Sequence, residues 1–231
     1  MTNSTHYSEI QNKVQEKALA CGRRPDDITL IAVSKTYPIE EIKAVYQEGG
    51  RQFGESRVQE ALAKIPLMPE DCVWHLIGTL QSNKVAKAVS AFRLIHSVDT
   101  PELAQKISQA SQSKGIVTSV LLQVNTSGEK TKHGLSGEEW QKQLEEVNQL
   151  SHLRIEGLMT MAPDVEEKKV IRACFRELYQ WRERWCKEMK EPAIFRHLSM
   201  GMSHDYEIAI EEGATLLRVG TAIFRKKEIT G

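Results

Sequence analysis

Eight short apolar runs recur along the chain, at 28–35, 51–55, 73–78, 93–98, 118–125, 153–160, 195–200 and 215–220, and helical patterns fill the gaps between them. Runs rich in β-branched residues read as strands buried on both faces, and parallel strands need helical crossovers to connect them. Eight such units, with no Pro/Gly/Ser-rich linker and no low-complexity tract, predict a single α/β domain over residues 1–231. The expected architecture is a (β/α)8 barrel of the TIM type with an additional N-terminal helix over 7–20. A doubly wound open sheet is the alternative.

The helices carry their own start signals. Thr100-Pro101-Glu102 places a capping hydroxyl before a proline at the first helical position, while Ser136 with Glu139 and Asp164 with Glu167 each show a cap followed three residues later by glutamate. Val170, Cys174, Leu178, Trp181, Trp185 and Met189 then recur at three- and four-residue steps, predicting a helix over 164–190 whose apolar face packs on the sheet.

Charge narrows the partner classes. Lysine plus arginine equals aspartate plus glutamate at 31 each, so no net field draws in nucleic acid or an anionic membrane, and a small or locally charged ligand is expected. Cys21, Cys72, Cys174 and Cys186 form no close pair, which suggests reduced thiols and neither a zinc site nor a disulfide framework. No run approaches the length of a membrane span, and the polar start lacks the apolar core of a secretion signal, so a cytoplasmic protein is expected. The helical faces read as fully used in covering the barrel, which predicts a monomer.

Lys35 ends the first apolar run and is followed at once by Thr36-Tyr37-Pro38, so a primary amine is expected at the carboxyl mouth of the barrel. The segments after strands seven and eight are Leu198-Ser199-Met200-Gly201-Met202-Ser203-His204 and Arg218-Val219-Gly220-Thr221-Ala222. Small residues let backbone N–H groups approach an anion, hydroxyls add hydrogen bonds, and the loops after these two strands commonly build a phosphate site. Closure of the barrel brings strand eight beside strand one. An amine there could face an aldehyde carried by the same phosphorylated ligand, and pyridoxal 5′-phosphate is the cofactor that needs both parts. His75 alternates with Trp74 and Leu76 and is a candidate to point into the mouth, with a hydrogen-bonded core histidine as the other reading.

Six segments in order then look familiar: Ala32-Val33-Ser34-Lys35 with Tyr37-Pro38, Phe53-Gly54-Glu55 with Gln59-Glu60, Trp74-His75-Leu76-Ile77-Gly78 with Leu80-Gln81-Ser82-Asn83-Lys84, Gly157-Leu158-Met159-Thr160-Met161-Ala162-Pro163, Leu198 to Ser203, and Arg218 to Phe224. Through them the chain resembles the pyridoxal phosphate homeostasis protein family, which is similar in fold to the N-terminal barrel of alanine racemase, a fold type III pyridoxal phosphate-binding barrel. The resemblance implies that Lys35 carries the cofactor as a Schiff base and that Ser199, Gly201, Ser203, Gly220 and Thr221 surround its phosphate. It further implies an arginine, Arg218, near the pyridine nitrogen or the phosphate.

The function so implied is a non-catalytic carrier that binds pyridoxal phosphate, shields its aldehyde, and releases it to apo-enzymes, within vitamin B6 and amino-acid homeostasis. The alternative is a pyridoxal phosphate-dependent amino-acid racemase. A two-base racemase needs a proton donor opposite the lysine, which alanine racemases take from a second domain, and a chain ending soon after strand eight is expected to lack it. Two departures from the family pattern stand close to the expected site: Ser56 where asparagine is usual, and Arg225 where glycine is usual. Lys132 follows strand five where the family also tends to carry lysine, and reads as a solvated loop residue; Asn83 and Lys84 read as loop and helix-start residues without a role.

Overall fold

The computed structural model describes residues 5–129, 133–189 and 195–224. Its strands are β1 (Thr29–Val33), β2 (Gln52–Glu55), β3 (Val73–Leu76), β4 (Leu94–Val98), β5 (Thr118–Gln123), β6 (Leu153–Met159), β7 (His197–Ser199) and β8 (Leu216–Val219). The helices are α1 (Tyr7–Ala20), α2 (Ile39–Gln47), α3 (Val58–Lys64), α4 (Val85–Ala91), α5 (Pro101–Ser113), α6 (Gly137–Asn148), α7 (Lys168–Glu188), α8 (Tyr206–Glu211) and α9 (Thr221–Phe224). All strands run parallel in chain order, and β8 pairs back onto β1 with Ile31 opposite Arg218 and Ala32 opposite Val219. The sheet is a closed barrel, and the open-sheet alternative falls.

Each strand lies inside its predicted run, shortened at one end or both where the chain leaves the ladder for a loop. β7 is the extreme case, with only His197–Ser199 left of the expected 195–200. The caps at Thr100 and Ser136 form as expected. Thr100 accepts from the Leu103 N–H at 3.2 Å, and Ser136 with Glu139 closes a reciprocal capping box. Asp164 does not cap: α7 begins at Lys168 behind Glu167, with no side-chain cap bond. The apolar face of α7 also lies a little round from the predicted stripe. Ile171 and Phe175 are buried with Cys174, Leu178, Trp181 and Trp185, whereas Val170 is exposed. Two aromatic neighbours, Trp185 and Phe195, meet beneath it at 5.8 Å between ring centroids.

The barrel interior holds Ile31, Leu94, Leu121, Met159 and Leu216 as one apolar cluster. Beside it runs a file of buried polar groups from His75 and His96 to Ser199 and Arg218. Burial is affordable for them only because each is hydrogen-bonded. Burial pushes His75 down to about 3 and His96 well below the usual imidazole range, the neighbouring charges of Arg93 and Arg218 adding to the effect.

Acid therefore opposes this fold. Between about pH 6.5 and 3 the unfolded chain binds protons on these imidazoles that the folded chain refuses, so stability is complete above pH 6.5 and declines below it. By pH 5 the loss is about 2 kcal/mol for His75 alone. Glu55, whose carboxyl is raised by burial, opposes part of this. Urea unfolding at pH 7.5, 6 and 5 is expected to give a midpoint that is highest at pH 7.5 and falls stepwise. A midpoint that stays level to pH 5 would show that the two rings are not held neutral.

Candidate functional site

A cavity of about 360 Å³ opens at the carboxyl end of the barrel, and Lys35, Ser203, Arg218, Gly220 and Thr221 all line it. These residues are far apart in sequence. Pairing of β8 with β1 makes them neighbours.

Lys35 lies in the turn directly after β1 and its side chain is exposed, so the apolar strand does not bury the amine. The backbone around it is tightly held. Ser34 is fully buried; its hydroxyl donates to Glu55 Oε1 at 2.6 Å, and its carbonyl accepts from Lys64 Nζ at 2.8 Å. On the other side of Lys35, the Thr36 N–H donates to Glu60 Oε1 at 2.6 Å, where Lys64 Nζ also donates at 2.6 Å. Thr36 itself has φ 67°, a left-handed conformation that a β-branched residue adopts only when its surroundings impose it. Tyr37 then stacks on Phe224 of α9 with centroids 4.3 Å apart, which ties the lysine turn to the segment after β8.

Two carboxylates serve that clamp differently. Burial raises Glu55, against the pull of Ser34 and Lys64, whereas in Glu60 the hydrogen bonds from Lys64 and Thr36 outweigh burial and hold it below the ordinary range. Glu55 Oε2 is buried without a hydrogen-bond partner among the described residues, so the charge on Lys64 is what its carboxylate leans on.

Across the cavity, Ser203 Oγ accepts from the N–H groups of both Gly220 and Ala222, each at 3.3 Å. Two backbone donors from the β8 segment thus converge on one oxygen, the local arrangement that suits an anion. Gly201 holds this loop in place without lining the cavity. Its φ is 93°, its carbonyl accepts from the Arg218 N–H at 2.9 Å, and a Cβ there would meet the Ala209 methyl at 2.6 Å. Asp205 is buried ahead of α8 and accepts from the Met202 N–H at 2.5 Å.

Arg218 is almost wholly buried, and the acceptors it uses are neutral: Ser199 Oγ at 2.5 Å and Thr160 O at 2.9 Å. Burial lowers it to about 10, with Asp205 opposing, so it remains a cation at neutral pH. A buried positive charge beside an open cavity, without a carboxylate bonded to it, favours an electron-rich ligand. Ser199 stands behind this arginine and not at the cavity surface.

His75 lies elsewhere. It pairs with Gly54 and Leu94 in mid-barrel and lines a separate cavity of about 260 Å³ at the amino end, with Gln52, Arg93, Glu156 and His197. Ile77, two residues on and therefore on the same side of the chain, takes the place at the mouth. The core reading of His75 is the one the structure adopts.

Several lining residues escape a sequence reading. Gln123 carries a signal, being a polar residue that ends the apolar Val120-Leu121-Leu122 of β5, whereas Met161, Met202 and His204 look like ordinary loop residues. Ser56 lines the cavity too, and its backbone approaches Gly78 so closely that a Cβ on Gly78 would lie 2.4 Å from the Ser56 carbonyl oxygen. Asn83 and Lys84 lie in a short 3₁₀ turn, while Lys132 and Arg225 fall outside the described residues.

Comparison with known proteins gives the family. The family model for the alanine racemase N-terminal domain matches residues 8–227. A pyridoxal phosphate homeostasis protein of Aquifex aeolicus is 39% identical over 229 residues, covering 99% of this chain and all of its relative. The chain belongs to that family. Among solved structures similar to this family member, PipY of Synechococcus elongatus with pyridoxal phosphate bound is 37% identical with a TM-score of 0.81, covering 91% of this chain and 99% of PipY. Alanine racemase of Clostridium difficile shares the fold at 17% identity and a TM-score of 0.74, covering 92% of this chain and 55% of that one.

The clamp on the lysine turn is open to test in this homeostasis-family chain. Lys64→Met strands the Glu55 carboxylate in the interior, and removing one partner of a buried pair typically costs about 3–5 kcal/mol. Lys64→Met combined with Glu55→Gln should recover much of that loss, since the stranded charge is then gone. Urea titrations of the single and double variants check both expectations.

Proposed function

We propose that this chain binds pyridoxal 5′-phosphate through a Schiff base to Lys35 and acts as a carrier and buffer of the cofactor in vitamin B6 and amino-acid homeostasis. The observation that carries the reading is the shared cavity: an exposed primary amine, a pair of converging backbone donors and a buried arginine lie around one space of suitable size. The PipY structure with pyridoxal phosphate bound supports the same ligand.

When bound, the cofactor supplies an aldehyde carbon that condenses with a primary amine and releases one water. Everything else falls to the chain. Lys35 offers the amine from a fixed turn, Ser203, Gly220 and Thr221 offer donors to the phosphate with Gly201 shaping their loop, and Arg218 offers N–H groups toward the ring. Because arginine donates and does not accept, a ring nitrogen facing it is kept unprotonated, which weakens the ring as an electron sink. Serine at Ser56 brings a shorter group without an amide donor than the asparagine usual in the family.

These features favour a carrier over an enzyme. Racemisation needs a base and an acid on opposite faces of the substrate. Among the described residues that line the cavity, His204 is the sole titratable side chain besides Lys35 and Arg218, and it is exposed on a loop. Apo-enzymes that use pyridoxal phosphate are the proposed recipients, and the cytoplasm is the proposed compartment.

Borohydride reduction of chain incubated with pyridoxal phosphate, followed by peptide mapping, is expected to place the adduct on Lys35 and to lose it in Lys35→Ala. The same sample is expected to racemise no amino acid faster than free cofactor does. Stereospecific turnover that disappears with Lys35→Ala would overturn the carrier reading in favour of a racemase.

A further inference from the structure

Five side chains from five strands form one unbroken hydrogen-bonded file through the barrel interior. Gln52 Oε1 lies 2.8 Å from His75 Nε2, His75 Nδ1 lies 3.0 Å from His96 Nε2, and His96 Nδ1 lies 2.8 Å from Ser199 Oγ. Arg218 closes the file on Ser199 at 2.5 Å. Proton counting fixes its direction. Arginine has donors only, so Ser199 Oγ accepts from Arg218 and sends its own proton to His96 Nδ1. His96 then carries its hydrogen on Nε2 and donates to His75 Nδ1, and His75 donates from Nε2 to the Gln52 carbonyl. Both rings are neutral and every link pairs one donor with one acceptor. Reversal would require Gln52 to turn over and would leave the Ser199 proton without an acceptor, since its hydroxyl has no third hydrogen-bond partner among the described residues.

The file does not deliver a proton to the cavity, because Arg218 stands at its end and keeps its charge. What it does is orient. Ser199 presents a lone pair to one guanidinium nitrogen only while His96 takes its proton, and Thr160 O holds the other at 2.9 Å. Two contacts are thereby spoken for, the remaining N–H groups of Arg218 have no acceptor among the described residues, and the residue lines the cavity.

We infer that His96 is a positioning residue: through Ser199 it fixes Arg218 as a donor for an unprotonated ring nitrogen, and so makes the site selective for a ligand that carries one. This rests on the pyridoxal phosphate reading of the cavity and adds the selectivity of its far wall. His96 is fully buried and touches no part of the cavity, so its effect reaches the ligand only through the file.

The test compares pyridoxal phosphate with its 1-deaza analogue, in which C–H replaces the ring nitrogen while aldehyde and phosphate remain. The unaltered chain is expected to bind pyridoxal phosphate about tenfold more tightly or better, as befits a hydrogen bond from a charged donor. His96→Leu should bring the two affinities within about twofold of each other by weakening pyridoxal phosphate alone, and Ser199→Ala should do the same. A general loosening of the barrel would weaken both ligands equally, and that result would overturn the inference. The ¹⁵N spectra of the ligand-free chain give a second reading that needs no variant: both imidazoles should be neutral with hydrogen on Nε2, and a hydrogen on His96 Nδ1 would overturn the inference equally. Equal binding of the two ligands by the unaltered chain, with the Lys35 adduct still formed, would sink this inference and leave the carrier function standing. Failure to bind either ligand would overturn both.

Discussion

Closure of the sheet between β8 and β1 is the constraint on which the site depends. The lysine turn and the cradle loops belong to opposite ends of the chain, and nothing local holds them together. Parallel pairing of Ile31 with Arg218 and Ala32 with Val219 sets the last strand beside the first, and the residues just beyond each strand end then share one mouth. The Tyr37–Phe224 stack fastens that seam on the outside. A barrel that failed to close here would keep every motif and lose the cavity.

Within that frame, the interior carries more polarity than a packed barrel needs. Leu94, Leu121 and Met159 could have been joined by further aliphatic residues, yet two imidazoles, a hydroxyl and a guanidinium are buried beside them. Such groups cost stability unless every proton finds an acceptor. The imidazole and hydroxyl protons each find an acceptor, and Arg218 is held by two neutral partners at the base of the cavity. That combination separates this arginine from the surface ion pairs of the chain, such as Arg24 with Asp27, which are exposed and worth little.

Much of this was legible in the residues. Apolar runs of strand length alternating with helical patterns led to the barrel, and Lys35 could be assigned to its mouth because it ends such a run. Ser203, Gly220 and Thr221 were picked from the loop chemistry after strands seven and eight, and the structure brings all three to the cavity lining. His75 was misplaced toward the mouth because alternation tells which face of a strand a side chain takes but not how far along the barrel axis it sits; depth is set by the register with Gly54 and Leu94, which pairing alone reveals. His96, Lys64 and Glu55 were given no role for a related reason. Their meaning lies in partners 103, 30 and 21 positions away, Ser199, Ser34 and Ser34 again, and no spacing rule connects them. The cap expected at Asp164 failed because a serviceable signal competes with the loop's own path, and α7 begins four residues later.

The contrast between a rigid turn and a loose amine has its own outcome. Ser34 and Thr36 are pinned, but the side chain of Lys35 is exposed. Any electrophile captured there must first freeze that side chain, at an entropic cost of up to about 2 kcal/mol, or roughly a thirtyfold loss of grip relative to a preordered amine. Such slack is a defect in a catalyst, where alignment sets the rate. In the proposed carrier role, the same slack weakens the hold on the cargo.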